Sequence, residues 1–383
     1  MQILSIVIPV LITMTGSAGE RPAGKNHDDA GPFASTTKQP ASLHSLQRRQ
    51  QLMGTWLDIT TWANDRSLAL EASDAAFVAV REAEIRLSTW REETELAVVN
   101  DGGPVAPVEI SPLLERDLAE ALTWYQATGG AFSPGVGSLV TLWDLRGHGR
   151  VPSRVELDGA LADASLDGTE IEGGRIRFGQ PGLQIEEGGF GKGAALSDAI
   201  DAALGLGARC VILDFGGQVA IGGSCEALTI GISDPGDRER VVGLLSVTEG
   251  SIATSGLSER YFVADNVRYG HIIDPRTGSP TPDWGSVTVL APDPIAADCI
   301  STALFVMGPE SGMIWVNRHP GVEAVFSLRS DAGSQVVATP GLKGHLTPSE
   351  GVMVEWIPTV DARQHDPPHF TSIWHSSIAK SSK

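Results

Sequence analysis

The stretch PIAADCISTALFVMG, Pro294 to Gly308, constrains this chain most. A helix over Ile295 to Met307 is apolar almost all round, so the fold must bury it. Asp298 and Thr302 stand four residues apart and therefore share one face of that helix. A purely structural helix has no need of such a polar pair, because a buried carboxylate costs free energy unless it is paired. A carboxylate and a hydroxyl on one face can offer hard oxygen ligands to Mg²⁺, which is usually held by few protein groups plus phosphates. The same two residues also suit plainer roles. Asp298 near a helix start can act electrostatically, and Thr302 can bond back to a carbonyl.

The segments around that helix mix strands and helices without regular alternation. TWLDITTWA (55–63) alternates like a strand, and CVILDF, ALTIGIS, GLLSVT and SVTVLAP also read as strands. RIRFG and LQIEE read as a hairpin. Ala69 to Leu87 has helical spacing, with Leu70, Ala76, Phe77, Val80 and Ile85 as one face. Ser111-Pro112 is an N-cap followed by proline at the first helical position, opening a helix to Thr128 that Gly129-Gly130 ends. Ala194 to Leu204 is helical. Such a pattern predicts an α+β fold, mixed sheets packed with helices in a single domain, rather than a doubly wound sheet.

That domain is expected over residues 51–342. Ile3 to Met14 is an apolar run with the length of a signal-peptide core, followed by small residues in TGSAGE. Residues 1–18 therefore read as a signal peptide, although no Lys or Arg precedes the run and Pro9 interrupts it. The expected location is outside the cytoplasm, periplasmic or in the cell envelope, with membrane association only through this segment if it is not cleaved. Residues 19–50 read as a disordered linker and 343–383 as a C-terminal extension. The net charge of −19 argues against nucleic acid and anionic lipid as partners. Cys210, Cys225 and Cys299 allow at most one disulfide and lack the spacing of a zinc site.

Three further stretches carry chemistry. EEGGFGKGAALSDAI (186–200) leads glycine pairs and Lys192 into a helix, which suits an anion. It is not a P-loop, since Glu186 and Gly193 occupy positions that motif reserves for other residues. In SIATSGLSERYF, Thr254-Ser255-Gly256 reads as a tight turn offering hydroxyls. In YGHIIDPRTGSP, His271 precedes the turn Asp274 to Gly278, where it can serve as a general base or a polar positioner.

Taken in order, these motifs resemble the ApbE family, the FAD:protein FMN transferases. The resemblance rests on Met53-Gly54-Thr55, LSTWREETELAVVN, FSPGVGSLVTLW, Gly188 to Gly193, LDFGGQVAIGG, Ala253 to Gly256, His271 to Gly278 and Ala297 to Ala303. It spans about Leu52 to Leu342. It implies an enzyme that cleaves FAD at the pyrophosphate with Mg²⁺ and transfers FMN to a threonine of an acceptor protein, releasing AMP. It also implies site residues. Asp298, Thr302 and the carbonyl of Gly189 would hold the metal. Met53, Trp90, Ala131, Phe132, Ser133, Glu186, Lys192 and Ile272 would contact FAD, with His271 beside the pyrophosphate. His271 and Asp298 are the catalytic candidates.

Three positions depart from the family pattern. Ser133 and Glu186 stand where aspartate is usual, and Ala194 where an aromatic is common. The same site could hydrolyse FAD to FMN and AMP with water as acceptor, or bind FAD without catalysis.

Overall fold

The computed structural model describes residues 43–104, 106–258, 261–329 and 335–357. The signal-peptide segment, the linker up to residue 42 and the tail from 358 lie outside them. The described chain is α+β. Its helices are α1 (Arg66–Leu87), α2 (Glu95–Gly102), α3 (Pro112–Ala127), α4 (Gly137–Leu142), α5 (Arg154–Asp163), α6 (Gly191–Gly205) and α7 (Pro294–Asn317).

A nine-stranded sheet carries the fold. Its spatial order is His44–Leu52, Thr55–Ala63, Cys210–Phe215, Gln218–Gly223, Gly250–Gly256, Gly285–Ala291, Glu323–Leu328, Gln335–Ala338 and Val354–Trp356. Neighbours are antiparallel except the last pair. Side chains alternate between faces. Val211, Leu213 and Phe215 pack with α1 and α6, while Cys210 and Ile212 face the other way. That second face is covered by a three-stranded sheet of Leu346–Pro348, Val241–Val247 and Leu228–Ser233. Strands covered on both faces read as near-continuous apolar runs, as CVILDF does apart from Asp214. Cys210 and Cys225 are joined by a disulfide, which ties the strand start to the segment beyond Gly223.

Helix α7 explains its own apolarity. Asp293 caps its start, accepting from Ala296 N at 2.8 Å, and Gly308, with φ 75°, breaks it after Met307. Ala296, Ala297, Ile300 and Leu304 pack on the sheet residues Val287, Val289 and Phe326. Ile295, Cys299, Ala303 and Val306 pack on Leu114, Leu118, Phe132 and Phe190. By length and composition this helix could cross a bilayer; here both of its apolar faces are used by protein cores.

Several expectations need correction. The linker assigned to 19–50 and the domain start at 51 are wrong at the boundary, since His44–Leu52 is a strand paired residue for residue with Thr55–Ala63. HSLQRRQQL hides this because its inner-face positions, Leu46, Arg48, Gln50 and Leu52, include two polar residues. Its arginines instead cover apolar and acidic groups: Arg48 lies over Phe77, and Arg49 forks onto Asp58. The domain also runs past 342, because Leu346–Pro348 and Val354–Trp356 add strands to two sheets. Arg175–Arg177 pairs with Glu170–Glu172 and Val108–Glu109, not with LQIEE. The latter is pinned by Asn100, whose amide donates to Ile185 O at 2.9 Å while Ile185 N donates to Asn100 Oδ1 at 2.8 Å. On α1, Leu70 and Ile85 are exposed, and Ala69, Ala72 and Ala83 share the buried face with Ala76, Phe77 and Val80.

Two packing details carry consequences. A Cβ on Gly193 would stand 2.4 Å from Pro294 O and 2.6 Å from Ile295 Cα, so only glycine lets α6 meet α7 this closely. Gly193→Ala should therefore destabilise the protein by about 2 kcal/mol or more; urea unfolding showing an unchanged midpoint would contradict this. Glu120 on α3 lies against Asp293, and burial followed by that neighbouring charge pushes its carboxyl from 4.5 up to about 7. Raised in the folded state, it contributes stability that is full below 4.5 and is lost as pH rises through about 7. Glu120→Gln should raise Tm by roughly 2–5 °C at pH 8 and leave it unmoved at pH 4. Thermal melts at both pH values decide it; equal shifts would mean the charge is not the cause.

Candidate active site

The site forms where the N-terminus of α6 meets the first turns of α7. Glu187–Gly189 makes a short 3₁₀ turn, and Phe190 leads into α6. The Gly193 contact places the start of α6 against Asp298, which is buried at 4 % exposure. Lys192 Nζ donates to Asp298 Oδ1 at 3.0 Å, and Gly193 N donates to Oδ2 at 3.2 Å. The buried carboxylate is thus satisfied by an ammonium and a backbone N–H at a helix start, where negative charge is favoured.

Thr302 lies one turn beyond Asp298. Its hydroxyl donates to Asp298 O at 3.2 Å, the back-bonding the sequence also allowed, and its lone pairs stay available. Gly189 sits across from it. A Cβ there would be 3.5 Å from Thr302 Oγ1 and 3.0 Å from the Phe132 ring. Asp298, Thr302 and Gly189 are therefore brought together. Ser301 donates to Asp298 O at 3.0 Å, and Ser255 bonds Ser301 at 3.0 Å. This corrects the reading of Thr254-Ser255-Gly256 as a turn. It is the end of strand Gly250–Gly256, with Ser255 supporting α7 and Thr254 bonded to Thr288 across the sheet. Cys299, beside Asp298, is fully buried and its thiol is pushed up by burial, which leaves it protonated and inert.

The other predicted residues lie on the segments around these helices. Ala131, Phe132 and Ser133 follow α3 through Gly129 and Gly130, both at positive φ, and are buried. Ser133 Oγ accepts from Gly135 N at 3.1 Å. Met53 sits in the turn between the first two strands at φ 44°, and a Cβ on Gly191 would lie 3.8 Å from its Cε. Ile272 packs against both clusters that bury α7. His271, half-buried, precedes it. The loop is held on three sides. Thr281 N donates to Ile272 O at 2.8 Å, Trp143 Nε1 to Gly278 O at 2.8 Å, and Arg276 forks onto Asp274 at 2.9 Å.

Trp90 and Glu186 meet through residues the sequence did not single out. Arg146 lies over the Trp90 ring at 4.5 Å, donates to Thr89 O at 2.9 Å, and pairs with Glu186. Thr89 bonds Glu187. Glu186 is pushed up to about 7, by burial and then by Glu187, against the pull of Arg146. Thr89 and Glu187 adjoin predicted residues and could have been found by adjacency; Arg146 stands in DLRGHGR with no pattern of its own.

Comparison with known proteins identifies the family. The model of the ApbE family matches residues 53–326. The FAD:protein FMN transferase of Treponema pallidum (strain Nichols) is 30% identical over 321 residues, covering 76% of this chain and 88% of that protein. That of Klebsiella pneumoniae (strain 342) is 29% identical over 287 residues, covering 73% and 88%. Among solved structures, the ApbE protein of Thermotoga maritima superposes with a TM-score of 0.72 at 30% identity, covering 79% of this chain and 99% of that one. The flavin transferase ApbE from Vibrio cholerae gives 0.69 at 26% identity, covering 79% and 100%. A family match running from the Met53 turn through α6 and α7 to the sheet beyond leaves one conclusion: this chain belongs to the ApbE family.

Proposed function

We propose that this chain is a Mg²⁺-dependent FAD:protein FMN transferase. It cleaves FAD at the pyrophosphate, joins FMN through a phosphoester to a threonine of an acceptor protein, and releases AMP. The observation that carries this reading is the buried Asp298 carboxylate, held at the start of α6 with Lys192, Thr302 and Gly189 around it. Similarity to proteins named FAD:protein FMN transferase supports FAD and a protein as the two substrates.

The donor set suits Mg²⁺. Asp298 carboxylate, Thr302 hydroxyl and Gly189 carbonyl are all hard oxygens. The missing side chain at Gly189, where a Cβ would stand 3.5 Å from Thr302 Oγ1, leaves the backbone open to the same spot. When bound, Mg²⁺ supplies positive charge at the phosphate oxygens. The chain's own groups do the rest. Lys192 and the first N–H groups of α6 orient the pyrophosphate and neutralise part of its charge. The threonine hydroxyl oxygen bonds to the FMN-side phosphorus. The bond from that phosphorus to the bridging oxygen breaks, and AMP leaves with the electron pair. His271 takes the hydroxyl proton.

Export supports an acceptor outside the cytoplasm. The Cys210–Cys225 disulfide suits an oxidising compartment, and the apolar run at Ile3 to Met14 suits a leader. The protein recovered from the periplasm of an expressing Gram-negative host should lack roughly the first 18 residues by intact mass. Full-length protein retained in the cytoplasm would sink this assignment.

With FAD, Mg²⁺ and a threonine-bearing acceptor peptide, AMP release should accompany a peptide mass gain of one FMN. Asp298→Ala should lower both by at least about a hundredfold, and EDTA should abolish them. His271→Ala should slow transfer by about a hundredfold; an unchanged rate would remove the histidine from proton transfer. AMP without a peptide mass gain would make the chain a pyrophosphatase.

A further inference from the structure

Arg146 belongs to none of the motifs that mark this family's site in the sequence, yet it joins two of their residues. It sits in a turn built to present it. Asp144 adopts φ 52°, its carboxylate accepts from His148 N at 3.0 Å, and its carbonyl accepts from Gly147 N and Gly149 N at 3.0 and 3.1 Å. A Cβ on Gly147 would fall 2.4 Å from Asp144 Oδ1, so any other residue there would push aside the carboxylate that holds His148 N. The adjoining Trp143 is anchored to Gly278 O, in the loop that carries His271. The turn is therefore fixed relative to the site, and Arg146 projects from it with its side chain 31% exposed.

From there the guanidinium spans two separate segments. One is Thr89-Trp90, beyond α1; the other is Glu186, before α6. Trp90 is 61% exposed, so little protein packing holds its ring. The planar guanidinium at 4.5 Å is a contact that orients it. Glu186, half-buried, and Glu187, buried, are adjacent carboxylates, a pair that would repel an anionic dinucleotide unless one were neutralised. Arg146 does both at once. Lysine could supply the charge but neither the stack nor the fork.

We propose that Arg146 is a positioning residue for FAD in this chain, orienting Trp90 and neutralising Glu186 so that the two form one wall of the flavin site. This rests on the assignment of Trp90 and Glu186 to FAD under the proposed function. Arg146 touches neither the metal set nor the reacting atoms, so its effect falls on binding rather than chemistry.

The test is FAD affinity by flavin fluorescence in the presence of Mg²⁺ and absence of acceptor, followed by transfer kinetics. Arg146→Ala should raise Kd and KM for FAD about tenfold, with kcat at saturating FAD within about twofold. Arg146→Lys should recover part of the loss. In a Trp90→Leu background, Arg146→Ala should cost clearly less than in the native protein, because much of its effect passes through the ring. Circular dichroism and melting establish that each variant is folded. Unchanged Kd in both Arg146 variants, or a drop in kcat at unchanged KM, would overturn the proposal. If native protein binds FAD but transfers nothing, the transferase reading fails while the binding comparison still decides the role of Arg146.

Discussion

The site depends on a contact that one hydrogen atom makes possible. Gly193 brings the start of α6 to within van der Waals distance of the α7 backbone at Pro294 and Ile295. That approach turns a backbone N–H and the Lys192 ammonium onto the carboxylate of a helix otherwise committed to apolar cores. Without it, Asp298 would be a buried charge lacking donors, which a helix like α7 could tolerate only by taking up a proton. Sheet, helix and site are linked by the same geometry. The strand Gly250–Gly256 supports Ser301 from below, and Ser301 holds the Asp298 carbonyl.

A second layer of charge fixes the direction of α6. Arg86 on α1 is 5 % exposed and bonds Asp117 on α3 and Asp198 on α6 at 2.8 and 2.6 Å. Arg116 closes the square onto the same two carboxylates. Burying Arg86 and Asp117, with Arg116 and Asp198 only partly covered, is a poor way to gain net stability, and a well-packed apolar set would do as well. Removing Arg86, however, would cost about 3 kcal/mol or more, because buried Asp117 would keep only the part-exposed Arg116. Such a network tolerates one arrangement of α1, α3 and α6 and penalises sliding. This is the property a site needs when its donors come from different helices.

The sequence revealed the elements that have strong local signals. Ser111 caps α3 as its spacing implied, Ile295 to Met307 is helical up to the Gly308 break, and the central strands announce themselves as apolar runs. The fold class followed from their irregular order. What failed has one physical cause: elements stabilised by partners far away in sequence carry little pattern of their own. HSLQRRQQL is a strand because Thr55–Ala63 pairs with it and because arginine stems cover Phe77 and Trp56. Leu346–Pro348 is a strand only beside Val241–Val247. Thr254-Ser255-Gly256 looked like a turn because its hydroxyls find partners across the sheet and on α7. The candidate ligands Asp298 and Thr302 were legible because four-residue spacing on an apolar helix is local; Gly189 entered through the family resemblance. Arg146 was not legible, since its three partners lie 40 or more positions away.

The departures from the family pattern make sense together in this light. A glutamate at 186 reaches one methylene further than the aspartate expected there, and here it meets the Arg146 guanidinium beside Trp90. At 133 the expected carboxylate is replaced by a serine whose hydroxyl is already used, accepting from Gly135 N within its own turn. One acidic group is thus withdrawn from the wall, and another is neutralised. Glu187, beside them, is bonded by Thr89 rather than left to face the ligand. For a chain of net charge −19, this change favours the pyrophosphate ligand proposed for the site. Long-range repulsion from the surface is screened within about 8 Å at physiological salt. Buried and half-buried carboxylates are screened much less, and here Glu186 is paired with Arg146 while Glu187 is bonded by Thr89.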